Sequence, residues 1–135
     1  MKKTINTNLF ILIKYLLDLA PSYIKYIEIQ NTEISIYTTA SKLKNLILLL
    51  KKHNNLQFAQ LVDICGVDYI TKKKRFEVIY NLLSLKYNFR IKIKIQTTEL
   101  KPIPSLTTYF PSANWLEREV WDMYGIFFSN HPDLR

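Results

Sequence analysis

The chain has 135 residues, 19 basic side chains against 11 acidic ones, and a formal net charge of +8. With 48% hydrophobic and 22% charged residues it has the balance of one folded domain, and general disorder is excluded. Cys65 is the only cysteine, which excludes an internal disulfide and any cluster or zinc site needing several thiolates from this chain, and makes a reducing compartment the expected home.

The positive charge is mostly lysine, 15 Lys to 4 Arg, beside 17 Ile, 10 Asn and 9 Tyr but only 2 Gly and 4 Ala. Ile, Lys, Asn and Tyr share A/T-rich codons. A biased genome, such as an organelle's, gives this composition without selection for a basic surface. Residues 1–116 carry +10 and residues 117–135 carry −2, so the C-terminal end differs locally from the rest.

Leu9, Leu12, Ile13, Leu16 and Leu17 recur at helical spacing and predict an amphipathic first helix. Lys14 and Asp18 interrupt its apolar run, which is too short to cross a membrane. No small-residue cleavage site suits a signal peptide. Ile27 and Ile29, then Ile34 and Ile36, alternate with polar residues around Gln30-Asn31-Thr32, the pattern of a hairpin. Ser41 is the expected cap of a second helix, with Leu43, Leu46, Ile47 and Leu50 on its apolar face and Lys51 and Lys52 in its last turn.

Residues 58–67 and 76–85 read as strands. Tyr87-Asn88 reads as a turn, and Ile91, Ile93 and Ile95 alternate with Lys92, Lys94 and Gln96 as a third strand of an antiparallel meander. Ser105 is expected to cap a short helix through Tyr109, which Pro111 ends. Asn114 is expected to cap a last helix, with Glu117 as its capping-box partner and Gly125 as its left-handed stop. Leu116, Val120, Met123 and Tyr124 form that helix's apolar side. The fold class is α+β, an antiparallel or mixed sheet with helices packed on one face, in a single domain over residues 1–135.

Gly66 and Gly125 are the only glycines, too few for a phosphate-cradling loop. Cys65 sits in an apolar run and reads as a small buried residue. Lys72 to Arg75, flanked by Tyr69 and Phe76, with the Lys92 and Lys94 face, suggests nucleic-acid binding, against which a solvated loop is the simpler reading. Glu119, Asp122 and Asp133 with His131 suggest a carboxylate–histidine metal site or hydrolase; a solvated or interface carboxylate pair is simpler. Residues 115–125 pack two tryptophans, Arg118 and several carboxylates into three turns, with Arg118 and Asp122 spaced to pair. These residue types are enriched at protein interfaces.

Glu117-Arg118-Glu119-Val120-Trp121-Asp122-Met123-Tyr124-Gly125-Ile126 and Asn130-His131-Pro132-Asp133-Leu134-Arg135 together resemble the signature of the 30-kDa subunit of respiratory complex I (NADH dehydrogenase subunit 9). Asp63-Ile64-Cys65-Gly66-Val67-Asp68-Tyr69, residues 75–84 and Phe110-Pro111-Ser112-Ala113-Asn114-Trp115 agree in order. The Cys-Gly-Val-Asp-Tyr form resembles the mitochondrial and proteobacterial branch rather than the chloroplast subunit.

The resemblance implies a structural and assembly subunit of the peripheral arm, beside the subunits that carry the quinone site and the terminal iron–sulfur clusters. It implies the matrix side of the mitochondrial inner membrane and an organelle gene. It also implies no cofactor in this chain, no nucleic acid and no membrane span of its own. The holoenzyme it implies uses FMN, iron–sulfur clusters, NADH and ubiquinone and pumps protons. The implied interface is Glu117, Arg118, Glu119, Asp122, Met123, Tyr124, His131, Pro132, Asp133 and Arg135. Family members continue past this point, so the resemblance further implies a shortened or split product, with a separate polypeptide supplying the missing segment in the split case.

Overall fold

A computed structural model of the chain describes residues 2–30, 33–54, 56–71, 73, 75–98 and 100–132, with side chains from residue 11 onward, Gln30 excepted. The first helix, α1 (Lys2–Leu19), turns Leu12 and Leu16 into the core. Leu17, expected on the same face, is exposed, because the buried line is carried on by Ala20 and Ile24 instead.

β1 (Tyr26–Gln30) and β2 (Glu33–Thr38) form the expected antiparallel hairpin, with Ile27 opposite Ile36 and Ile29 opposite Ile34. Asn31 and Thr32, the expected turn residues, lie outside the described residues. A single 3-10 turn (Ala40–Lys42) leads into α2 (Leu43–Lys52). Leu43, Leu46, Ile47 and Leu50 are fully buried, as their spacing predicts. Ser41 does not cap α2; its hydroxyl lies 3.1 Å from that of Thr39.

β3 (Gln60–Asp68), β4 (Phe76–Ser84) and β5 (Phe89–Thr97) make the antiparallel meander. The five strands stand in the order β1-β2-β5-β4-β3. The hairpin and the meander meet through β2 and β5, which run parallel, with Ile34, Ile36 and Thr38 beside Ile91, Ile93 and Ile95. Parallel neighbours need a long crossover, and the chain between them contains α2, β3 and β4. The sheet is therefore mixed. Its inner face joins Ile34, Ile36, Val78, Tyr80, Leu82, Ile91, Ile93 and Ile95 in one core with the buried residues of the helices.

A second, two-stranded sheet pairs β6 (Ile103–Pro104) with β7 (Phe128–Ser129) in parallel. It brackets α3 (Ala113–Tyr124). The expected helix over residues 105–109 is instead a turn, closed by the Tyr109 and Phe110 amides donating to the Leu106 carbonyl. Ser105 caps this turn rather than a helix: its hydroxyl accepts the Thr107 amide at 3.3 Å while donating to Glu117. Asn114 lies inside α3 rather than at its cap, and Ser112 precedes the helix. The Ser112 hydroxyl donates to the Leu61 carbonyl at 3.1 Å, tying the helix start to β3. Gly125 ends α3 with φ +73°, as expected of a left-handed stop.

α3 lies against β3, and Gly66 is the reason it can come so close. A Cβ at Gly66 would stand 2.7 Å from the Tyr124 ring. Gly66→Ala should therefore cost about 1–3 kcal/mol in urea unfolding through overpacking. In a Tyr124→Ala background the same change should be neutral or favourable, since glycine is a poor strand residue. Equal costs in both backgrounds would contradict the contact.

Candidate functional site

The C-terminal signature folds as α3 and the segment after it, and α3 divides its residues by angle. At about 100° per residue, positions 113, 117, 120 and 124 form one stripe, and 115, 119 and 122 lie opposite. Ala113, Glu117 and Val120 are buried and Tyr124 is half-buried against Gly66 and Phe76, its ring centroid 6.3 Å from that of Phe76. Glu119 and Asp122 are exposed, and Trp115 is 67% exposed.

Met123, expected on the apolar side, is also 67% exposed, because it sits about 90° from the buried stripe. The Arg118 guanidinium lies 5.9 Å from the Trp115 ring centroid, within cation–π range. Trp121 meets Phe127 edge-on at 6.0 Å, and Phe127 is 46% exposed. The sequence reading missed Phe127. Its signal was its place between Ile126 and Phe128, which strand alternation sends inward.

Glu117 is the residue the structure moves most. It is neither a capping-box partner nor part of the outward face, but fully buried. It accepts the Ser105 hydroxyl at 2.6 Å and the Leu106 amide at 2.8 Å. His131 Nε2 stands 3.9 Å away, with both side chains at 0% exposure. That nitrogen donates to the Asn114 carbonyl at 2.9 Å, so it carries a proton. Burial raises the Glu117 carboxyl above its ordinary value, while the Ser105 and Leu106 bonds and His131 act against the rise. Pro132 is exposed, and Asp133 and Arg135 lie outside the described residues.

The other candidate chemistries do not assemble. No group of three His, Cys, Asp or Glu is placed to hold a metal among the described residues. His131 turns to Glu117 rather than to Glu119 or Asp122. Cys65 is exposed rather than buried. A register shift between Leu61 and Asp63 leaves Ile64 and Gly66 inward and Cys65 outward. Its thiol donates to Asp63 at 3.0 Å, and its pKa is raised to about 11, first by desolvation and then by Asp63. At neutral pH it is a thiol and a poor nucleophile.

The basic groups of the suspected nucleic-acid face are engaged internally. Arg75 donates to both Asp68 oxygens at 2.7 and 2.8 Å. Lys92 pairs with Glu33 at 2.9 Å, and Lys94 lies 5.4 Å from the Tyr37 ring centroid. Lys72 and Lys74 lie outside the described residues.

What remains is an α+β domain that presents one outward helix face and the segment pinned behind it. A solved structure of the trypsin-resistant fragment (1-134) of Nqo5 superposes on this fold with a TM-score of 0.77 and 31% identity, covering 90% of this chain and 98% of that one. The family model for the respiratory-chain NADH dehydrogenase 30 kDa subunit matches residues 36–135. The chain belongs to that family.

It is 47% identical over 120 residues to the NADH-ubiquinone oxidoreductase subunit 9 of Reclinomonas americana, covering 89% of this chain and 59% of that protein. It is also 47% identical over 115 residues to an NADH-quinone oxidoreductase subunit of Rhodospirillum rubrum, covering 85% of this chain and 54% of that one. The chain thus spans little more than half the length of these relatives.

Glu117→Ala should lower unfolding stability by about 3 kcal/mol at pH 7, because it leaves a buried hydroxyl and amide unpaired. Glu117→Gln should lose little, since Ser105 can reverse its hydroxyl and accept from the new amide. The raised carboxyl makes its protonated form the one the fold prefers. That contribution is full below about 4.5 and falls as pH rises through the folded value. The Gln variant should lose this part of the pH dependence in thermal melts.

Tyr80 is a separate test of the same core. Its hydroxyl is buried with no hydrogen-bond partner among the described residues. Burial, and secondarily Glu117, hold it protonated. Tyr80→Phe should be neutral or stabilising by about 1 kcal/mol in urea unfolding.

Proposed function

We propose that this chain is a structural and assembly subunit of the peripheral arm of a proton-pumping NADH:ubiquinone oxidoreductase. In this reading it packs beside the subunits that bear the quinone site and the terminal iron–sulfur clusters. FMN, the clusters, NADH and ubiquinone belong to those neighbours and to the holoenzyme, and this chain does no electron transfer itself. The relatives named for mitochondria favour the matrix side of the inner membrane, and the A/T-type composition favours an organelle gene.

The observation that carries the reading is the outward face of α3 and the loop after it. Trp115 and Met123 are each 67% exposed, beside Arg118, Glu119 and Asp122, within the region the family model covers. Monomeric domains rarely leave such large apolar groups together without a partner. The proposed contact set is Arg118, Glu119, Asp122, Met123, Tyr124, His131, Pro132, Asp133 and Arg135, with Trp115 and Phe127 added. Glu117 is moved from contact to positioning.

Trp115→Ala and Asp122→Ala should each change the stability of the isolated chain by less than about 0.5 kcal/mol, as surface substitutions do. In cells the same variants should lower the yield of assembled holoenzyme on native gels. Normal assembly of both would remove the docking role. Purified chain should contain neither flavin nor iron; stoichiometric amounts of either would remove the structural one.

A further inference from the structure

A cavity of about 460 Å³ opens where β2 and β5 end, at Thr38 and Thr97. These two strands are parallel neighbours, and crevices at the carboxyl ends of parallel strands are the usual place for ligands in open α/β sheets. Tyr37, Pro102 and Pro104 supply apolar lining, and two lysines, Lys25 and Lys101, line it as well. No residue of α3 lines it; Ser129, between Phe127 and His131, is where it borders the proposed docking face.

We propose that this cavity binds a small organic phosphate, with the phosphate between Lys25 and Lys101 and the apolar body against Pro102, Pro104 and Tyr37. No Asp or Glu lines the cavity among the described residues. Neither lysine has an ion-pair partner among them, in contrast to Lys92 with Glu33. Two lysines lining one space with no carboxylate among the described residues match a dianion.

Both lysines are also held at the backbone. The Lys25 amide donates to the Tyr37 carbonyl at 2.7 Å. The Lys101 carbonyl accepts the Thr97 hydroxyl at 2.9 Å, and its amide donates to Thr98 at 3.3 Å. Their stems therefore start from fixed points, which lowers the ordering needed on binding. Thr39 and Ser41, whose hydroxyls are 3.1 Å apart, also line the cavity and add donors for phosphate oxygens.

The site is tested by titrating the full 135-residue chain with phenyl phosphate and, separately, inorganic phosphate, followed by backbone amide NMR shifts. Saturable shifts confined to residues 25, 37–41, 96–98, 100, 101, 103 and 129 are expected, with phenyl phosphate the tighter ligand. Lys25→Ala and Lys101→Ala should each weaken it about tenfold, the size of one charged hydrogen bond. Lys86→Ala removes the same charge at the β4–β5 turn and should leave affinity unchanged. Absence of saturation would overturn the site, as would equal losses in all three variants or undiminished binding in both cavity variants. Equal affinity for the two phosphates would overturn the role of the apolar walls.

Discussion

One buried carboxylate holds together the part of this domain that faces outward. Glu117 receives the Ser105 hydroxyl and the Leu106 amide on one side, with the His131 ring 3.9 Å away. Three separate stretches meet there: the turn after β6, α3 itself, and the segment after β7. This part of the chain also places apolar side chains in the core, among them Leu106, Val120 and Phe128, so the polar cluster adds direction to hydrophobic burial. β6 and β7 are two residues each. A polar cluster inside a low-dielectric core has few alternative arrangements, because any misfit leaves a buried donor or charge without its partner. The cost of losing it is what makes the local structure specific. Ser112 on Leu61 and Tyr124 over Gly66 then fix the two ends of α3 against β3.

The sheet beneath solves a different problem. The two-stranded hairpin has an apolar face too small to form a core alone, and the three-stranded meander offers it one to join. Pairing β2 with β5 in parallel merges them, so that Ile34, Ile36, Ile91, Ile93 and Ile95 become one surface on which the helices pack. The join also brings two strand ends to the same edge of the fold. The cavity with Lys25 and Lys101 is a by-product of that topology, and no local sequence pattern announces it.

Elements whose signal is local could be read from the sequence. Ile91, Ile93 and Ile95 on β5, and Leu43, Leu46, Ile47 and Leu50 on α2, carry their period in their own spacing, and all are buried. Gly125 signals its left-handed backbone in the same way. The cap residues could not be read so well. Ser41 and Asn114 have the chemistry of a cap without serving as one, and Ser105 caps only a turn, because a hydroxyl or amide takes whichever partner the tertiary fold offers nearest. Ser105 found a carboxylate twelve positions away. Cys65 and Met123 were misplaced for geometric reasons: a register shift turned one outward, and a quarter-turn from the buried stripe did the same to the other. Glu117 was recognised as part of a signature, and its side was misjudged. A charged residue is expected to face water, and only a buried set of donors reverses that expectation.

Charge gives the proposed docking face its character. The domain is strongly basic through residue 116, yet the last part of the chain carries −2 and α3 shows Glu119 and Asp122 to solvent. Along the helix these carboxylates fall between Trp115 and Met123, so charged and apolar groups alternate on the outward side. At protein interfaces exposed charges mainly set orientation and partner choice, while aromatic anchors supply most of the binding energy. Two copies of this chain meeting through this patch would place carboxylate against carboxylate, which disfavours self-association there. A partner whose own patch carries lysine or arginine around an apolar pocket would satisfy both features at once. In the proposed docking the acidic residues would select the neighbour, Trp115 would hold it, and the buried Glu117 would keep both in place.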